Sequence, residues 1–121
     1  MRVLFDHNVD RRFRKYLPAH QVQTTREMGW ERLSNGILLR SAASAGFEAI
    51  ICVDKNIEYE QNLKVLSLPV IVLDALNNSV HGLVSFTPAL NSLLLGPLDK
   101  VLYVIERDGK VVRVVEPRPK S

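Results

Sequence analysis

The sequence predicts an α/β fold, a three-layer α/β/α sandwich around a mainly parallel sheet. Three observations carry the prediction. Short apolar runs rich in β-branched residues, Val3-Leu4-Phe5, Ile50-Ile51-Cys52-Val53 and Val70-Ile71-Val72-Leu73, each stop at an aspartate: Asp6, Asp54 and Asp74. Runs of this length and composition read as strands buried on both faces, which are the strands of parallel sheets. Segments with helical spacing lie between them, and that alternation predicts right-handed crossovers.

The elements follow in order. After the first strand, Asp10 is placed to cap a short helix through Leu17, ended by Pro18. Gln21 to Thr24 reads as a second strand, polar enough to sit toward an edge. An irregular stretch through Gly29 and Trp30 leads to Ser34, a good N-cap for a helix over 35–45. There Ile37, Leu38, Ala42 and Ala45 recur at helical spacing and Gly46 supplies the stop. A strand over 49–53 follows, then a short helix over 57–64 and the strand over 70–73. Ser79 is placed to cap a helix to Phe86, and Thr87-Pro88 restarts one that runs to Leu95, with Gly96 at its end. Residues 101–106 and 111–116 alternate apolar with polar side chains around Asp108-Gly109, which predicts a C-terminal β-hairpin. That hairpin either extends the main sheet or offers a surface to another chain. A short Pro/Arg/Lys tail begins at Pro117.

Composition narrows the class. A chain of 121 residues fits a single domain, with the motif-bearing core in 1–75 and a helical segment plus hairpin in 76–121. Its 46% hydrophobic and 24% charged content are those of a soluble globular protein. No stretch approaches the roughly 18 apolar residues of a membrane span, and the N-terminus, with Asp6, His7 and Asp10, lacks the apolar core of a signal peptide. A cytoplasmic location is expected, with no membrane partner. The lone Cys52 lies in an apolar run and reads as a small buried hydrophobe; neither a disulfide nor a zinc site can be built from it.

A parallel sheet gathers its ligands outside the carboxyl ends of its strands. If the three aspartate-terminated strands are neighbours, Asp6, Asp54 and Asp74 converge, and like charges so placed call for a hard divalent cation. Arg11, Arg12, Arg14 and Lys15 fall within a few residues of the first of these strand ends, beside the proposed cluster, where positive charge suits a phosphodiester. The same run also fits a solvated helix face with Phe13 and Leu17 buried. The segment Asp54 to Asn62 is dense in hydrogen-bonding side chains. On a helix Glu58 and Asn62 share a face, while Asp54 and Asn56 lie in the loop at the strand end and either line a pocket with Asp6 or cap the helix.

The string Asp54-Lys55-Asn56-Ile57-Glu58-Tyr59-Glu60-Gln61-Asn62-Leu63, the opening Met1-Arg2-Val3-Leu4-Phe5-Asp6, Glu27-Met28-Gly29-Trp30 and Leu33-Ser34-Asn35-Gly36-Ile37-Leu38-Leu39 together resemble a family of short bacterial PIN-like proteins. These are similar to the PIN-domain ribonucleases that serve as toxins of toxin–antitoxin systems. The resemblance covers roughly residues 1–75. It implies an α/β sandwich in which acidic residues hold Mg²⁺ or Mn²⁺ and single-stranded RNA is cut. By position it implies Asp6 and Asp54 as metal ligands and catalytic residues, with Asn56 a polar neighbour and Glu58 or Asn62 completing the wall. Asp74 and Glu58 are the further candidate ligands. The pattern departs in two places: His7 stands where relatives often have an acid after the first aspartate, and Ile37 where they often have a glutamate. Fewer carboxylates hold a hard cation less tightly.

The expected chemistry is metal-assisted phosphodiester hydrolysis. Asp6 and Asp54 hold the cation, His7 or a nearby carboxylate orients or deprotonates a water, and Arg11, Arg12 and Arg14 engage backbone phosphates. Substrate contacts are also expected from Asn56 and Asn62. His7 equally reads as a hydrogen-bonded scaffold residue, and Trp30 and Tyr59 as packing rather than base-stacking residues. No Gly-rich phosphate loop and no G-x-S-x-G turn is present, so ATPase, nucleotide-cofactor and serine-hydrolase readings lack support. The leading expectation is a ribonuclease, the toxin of a toxin–antitoxin pair, with an antitoxin protein and a homodimer as further partners. The alternative is a PIN-like fold with an eroded catalytic set, acting as an RNA-binding or protein-interaction module.

Overall fold

A computed structural model describes residues 1–120. Six strands form one sheet: β1 (Arg2–Phe5), β2 (Gln21–Thr24), β3 (Ala49–Cys52), β4 (Val70–Leu73), β5 (Leu102–Ile105) and β6 (Val111–Val114), in the order β2-β1-β3-β4-β5-β6. The first five are mutually parallel, and β6 returns antiparallel along β5 at the sheet edge. Between these two, Gly109 adopts φ 91°, and Glu106 and Lys110 close the turn by a backbone hydrogen bond of 2.8 Å. A left-handed residue there is what the Asp108-Gly109 pair supplies without steric cost.

Every residue of β3, β4 and β5 is buried, as their unbroken apolar sequences require, whereas Gln21 of β2 and Val111 of β6 at the two sheet edges are exposed. Alternation along the strands divides the core in two. Leu4, Ile50, Cys52, Val72 and Val104 pack on the first face with Leu38, Leu39 and Ala42 of helix α1 (Asn35–Ser44) and Ile57 of the one-turn helix α2 (Ile57–Glu60). Val3, Phe5, Ile51, Ile71 and Ile105 pack on the second face with Phe13 and Leu17, with Leu83 of α3 (Val80–Leu83), and with Leu90 of α4 (Thr87–Leu93). Helices thus cover both sides of the sheet, as a three-layer sandwich requires.

Local structure departs from the predicted elements in three ways. Arg11–Tyr16 forms a 3-10 helix, capped as expected by the Asp10 carboxylate, which accepts from the Arg12 amide at 2.9 Å. The predicted helix over 57–64 breaks after Glu60: Gln61 is extended (φ −112°, ψ 153°), and Asn62 Oδ1 caps a separate 3-10 turn, Leu63–Val65. Glu58 and Asn62 therefore share no helical face.

The third departure concerns handedness. β2→β3 and β3→β4 step the same way across the sheet with their connections on the first face, and β1→β2 steps the opposite way with its connection on the second. These three share one hand. The β4→β5 connection, residues 74–101, steps in the β3→β4 direction yet packs on the second face, so it has the other hand, against the expected uniform right-handedness. The 3-10 segment alone leaves much of the second face open, and covering it with α3 and α4 removes a large apolar area from water.

Candidate functional site

Strand order reverses at β1. The chain steps from β1 outward to β2, then crosses back to β3 on the other side, which makes the β1/β3 boundary the topological switch point of the sheet. In open α/β sheets the crevice outside the strand carboxyl ends at that point is where ligands bind. Asp6 follows β1 and Asp54 follows β3, so the two carboxylates flank it.

Sheet alternation turns them to one side. Leu4 and Cys52 lie on the first face, Asp6 and Asp54 stand two residues beyond them, and the intervening Val53 packs on the second. Both carboxylates act on the Cys52 thiol between them: burial first, then the negative charges of Asp6 and Asp54, hold the thiol far above its ordinary pKa. Asp6 is nearly buried. Its Oδ1 accepts from the His7 amide at 2.8 Å and lies 3.1 Å from His7 Nδ1. Asp54 Oδ1 accepts from the Asn56 amide at 2.9 Å. In each aspartate Oδ2 accepts no hydrogen bond among the described residues, so one oxygen per carboxylate remains for a ligand.

The same alternation brings Asp74 and Glu106, after β4 and β5, to this face, where they join Glu58 around a cavity of about 160 Å³. Here the acids are matched by cations. Lys55 Nζ sits 2.5 Å from Asp74 Oδ1, a contact of charge without hydrogen-bond alignment, and Arg107 Nη2 lies 3.7 Å from the same oxygen. Glu58, buried in α2, accepts from the Arg118 amide at 2.7 Å, from its Nε at 3.1 Å and from its Nη2 at 2.8 Å. Burial raises the Glu58 pKa, but the Arg118 hydrogen bonds outweigh it and leave the carboxyl below its usual range. Lys120 stacks 4.5 Å over the Tyr59 ring, so the tail from Pro117 is a strap across the carboxyl edge of the sheet rather than a loose end.

Comparison with known proteins found no family model, no curated protein and no solved structure that matches this chain.

The structure thus places Asp6, with His7 against it, and Asp54 after the two neighbouring strands β1 and β3, and commits Glu58 and Asp74 to ion pairs. Among the described residues no three of His, Cys, Asp and Glu come together as a metal-holding group. Asn56 precedes α2, and Asn62 caps its 3-10 turn. Arg12 is held by Asp10 at 2.8 Å, which lowers the Asp10 pKa to about 2, and Arg14 by Glu27 at 2.9 Å. Only Arg11 of the three candidate arginines has a side chain with no acceptor among the described residues. Trp30 packs edge-on against Phe47, with ring centroids 6.0 Å apart. Lys55, Arg107 and Arg118 escaped the sequence reading. Lys55 sits in the motif that suggested the site, but nothing local signals that Arg118 reaches a residue sixty positions away.

No helix among the described residues is long and apolar enough to cross a membrane.

Proposed function

We propose that this protein is a PIN-like ribonuclease that cleaves single-stranded RNA with the aid of Mg²⁺ or Mn²⁺. One observation carries the reading: Asp6 and Asp54 flank the sheet's switch point on one face, each with a carboxylate oxygen that accepts nothing else. Two half-engaged carboxylates after neighbouring strands suit a hard cation with several remaining water ligands, the usual mode for Mg²⁺. When bound, the ion supplies Lewis acidity toward a phosphate oxygen and a water of lowered pKa.

The chain's own groups do the rest. The His7 amide and ring fix the rotamer of Asp6. With Nδ1 engaged by Asp6 and the side chain 55% exposed, His7 keeps Nε2 without a protein partner among the described residues, as a group that takes a proton from an attacking water requires. The unengaged Arg11 guanidinium, four residues after His7, offers charge for a backbone phosphate without reading sequence.

The test is cleavage of labelled single-stranded RNA with Mn²⁺, with Mg²⁺ and with chelator, beside an Asp6→Asn/Asp54→Asn variant. Metal-dependent cleavage lost in the variant supports the reading; cleavage that survives in it removes the basis. The second reading, an eroded fold that binds RNA without cutting it, is favoured by the cations that occupy Glu58 and Asp74. Its signature is salt-sensitive RNA binding with no product.

A further inference from the structure

Beside the crevice, outside the carboxyl ends of β1 and β2, a second hollow of about 490 Å³ is walled by His7, Arg11, Thr24, Thr25, Arg26 and Glu31. Its floor holds an anomaly. Thr25 is wholly buried, and its Oγ1 has no hydrogen-bond partner. Thr25 is otherwise tied in place, its amide donating to Phe5 O at 3.0 Å and its carbonyl accepting from Trp30 at 2.8 Å. A buried hydroxyl without an acceptor is costly to the fold, and with no exposed surface Thr25 lies behind the lining of the hollow rather than open to it.

The rim indicates the ligand's charge. Two arginines of the neighbouring 3-10 segment are spoken for, Arg12 by Asp10 and Arg14 by Glu27. Arg11 and Arg26, the two that wall this hollow, donate to nothing among the described residues. Asp10 also borders it, but its carboxylate is already neutralised by Arg12, so Glu31 is the opposing charge that remains. Two unengaged guanidiniums around one hollow match a tetrahedral oxyanion, since guanidinium pairs bidentately with phosphate.

We infer that this hollow is a phosphate-binding subsite, held by Arg11 and Arg26, which receives a backbone phosphate of the RNA strand whose neighbouring linkage lies at Asp6 and Asp54. The assignment of RNA rests on the reading of the crevice given above; the phosphate site itself does not. His7 walls the hollow and also touches the Asp6 carboxylate, which sets the hollow beside that acid.

The test is binding in chelator, so that no metal contributes. Inorganic phosphate and a short oligouridylate are titrated into the protein, and backbone amide shifts are followed by NMR. Both are expected to move the amides of His7, Thr25 and Arg26. The Arg11→Ala/Arg26→Ala variant should weaken binding by about tenfold or more, the loss of charge-assisted hydrogen bonds. Glu31→Gln, which removes the opposing charge, should tighten phosphate binding. No shift at these amides, or affinity that the double arginine variant leaves unaltered, overturns the subsite. The two proposals fail separately. A protein that binds phosphate here but cuts no RNA keeps the subsite and loses the nuclease, whereas one whose RNA cleavage and KM are unchanged in the double arginine variant loses the subsite alone.

Discussion

Glu58 and Arg118, sixty residues apart in sequence, form a three-bonded pair in which a buried carboxylate accepts from one backbone amide and two guanidinium nitrogens. The pair fastens the chain's last described residues over the carboxyl edge of the sheet and takes Glu58 out of the pool of unengaged acids. Removing the guanidinium leaves the carboxylate buried with one amide as its remaining partner. Because the Arg118 side chain is 44% exposed and solvent screens it, Arg118→Ala is expected to cost about 1–3 kcal/mol, read from the urea midpoint. Arg118→Lys should recover only part of this, since an ammonium cannot reproduce the forked contact.

The same pair sets a pH dependence. The Glu58 pKa is lower in the folded protein than in the unfolded chain, so its contribution is fully present above the ordinary glutamate value of about 4.3 and is lost as pH falls through the folded value. The stability difference between the protein and its Glu58→Gln variant should be flat from neutral pH to about 5 and shrink below that. Chemical denaturation at a series of pH values measures it; a difference that grows on acidification would contradict the sign.

Mn²⁺ offers a direct reading of the switch-point crevice. Added to the protein, it should broaden amide signals at residues 5–8 and 52–55 before any others, reversibly with chelator, and the Asp6→Asn/Asp54→Asn variant should lose the effect. First broadening around Glu58 and Asp74 would mean that the ion displaces Arg118 and Lys55 instead.

Cys52 is expected to be inert in the native state. Its thiol is wholly buried and held protonated by burial and by Asp6 and Asp54, while the reactive species is the thiolate. Iodoacetamide at pH 8 should label it only after unfolding by urea, and mass spectrometry counts the adduct.

Gly82 provides a case in which helix propensity misleads. Alanine normally stabilises a helix relative to glycine by about 1 kcal/mol. In α3, however, a Cβ at Gly82 would fall 2.9 Å from the Asn77 carbonyl oxygen and closer still to its side-chain oxygen, which also accepts from Ser79. Gly82→Ala should therefore lower the melting temperature instead of raising it.

Much of the scaffold was legible because it is written in local chemistry. Uninterrupted apolar runs mark β3 and β4 as strands buried on both faces, Asp10 and Ser79 cap where capping residues should, and Gly109 turns the chain between β5 and β6. Helix α2 stops at Glu60, short of the range its periodicity predicts, because the side-chain cap at Asn62 competes with continuing the helix. The Thr24-Thr25-Arg26 wall stands at a strand end and was open to the same argument that singled out the aspartates. Hydroxyls and a single arginine form no charge cluster, so nothing in the local pattern marks the wall as a site.

By itself the sequence determined which segments are strands and that acids terminate them, since strand burial and capping depend on neighbours within a few positions. Only the tertiary structure decided the order β2-β1-β3-β4-β5, and with it which acids share the switch point. Only it decided that Lys55, Arg107 and Arg118 would neutralise Asp74 and Glu58 while leaving Asp6 and Asp54 each with an open oxygen. The physical reason is range. Burial patterns are encoded along the chain, but a charge is satisfied by whatever partner the fold carries to within a few ångströms, however distant that partner is in sequence.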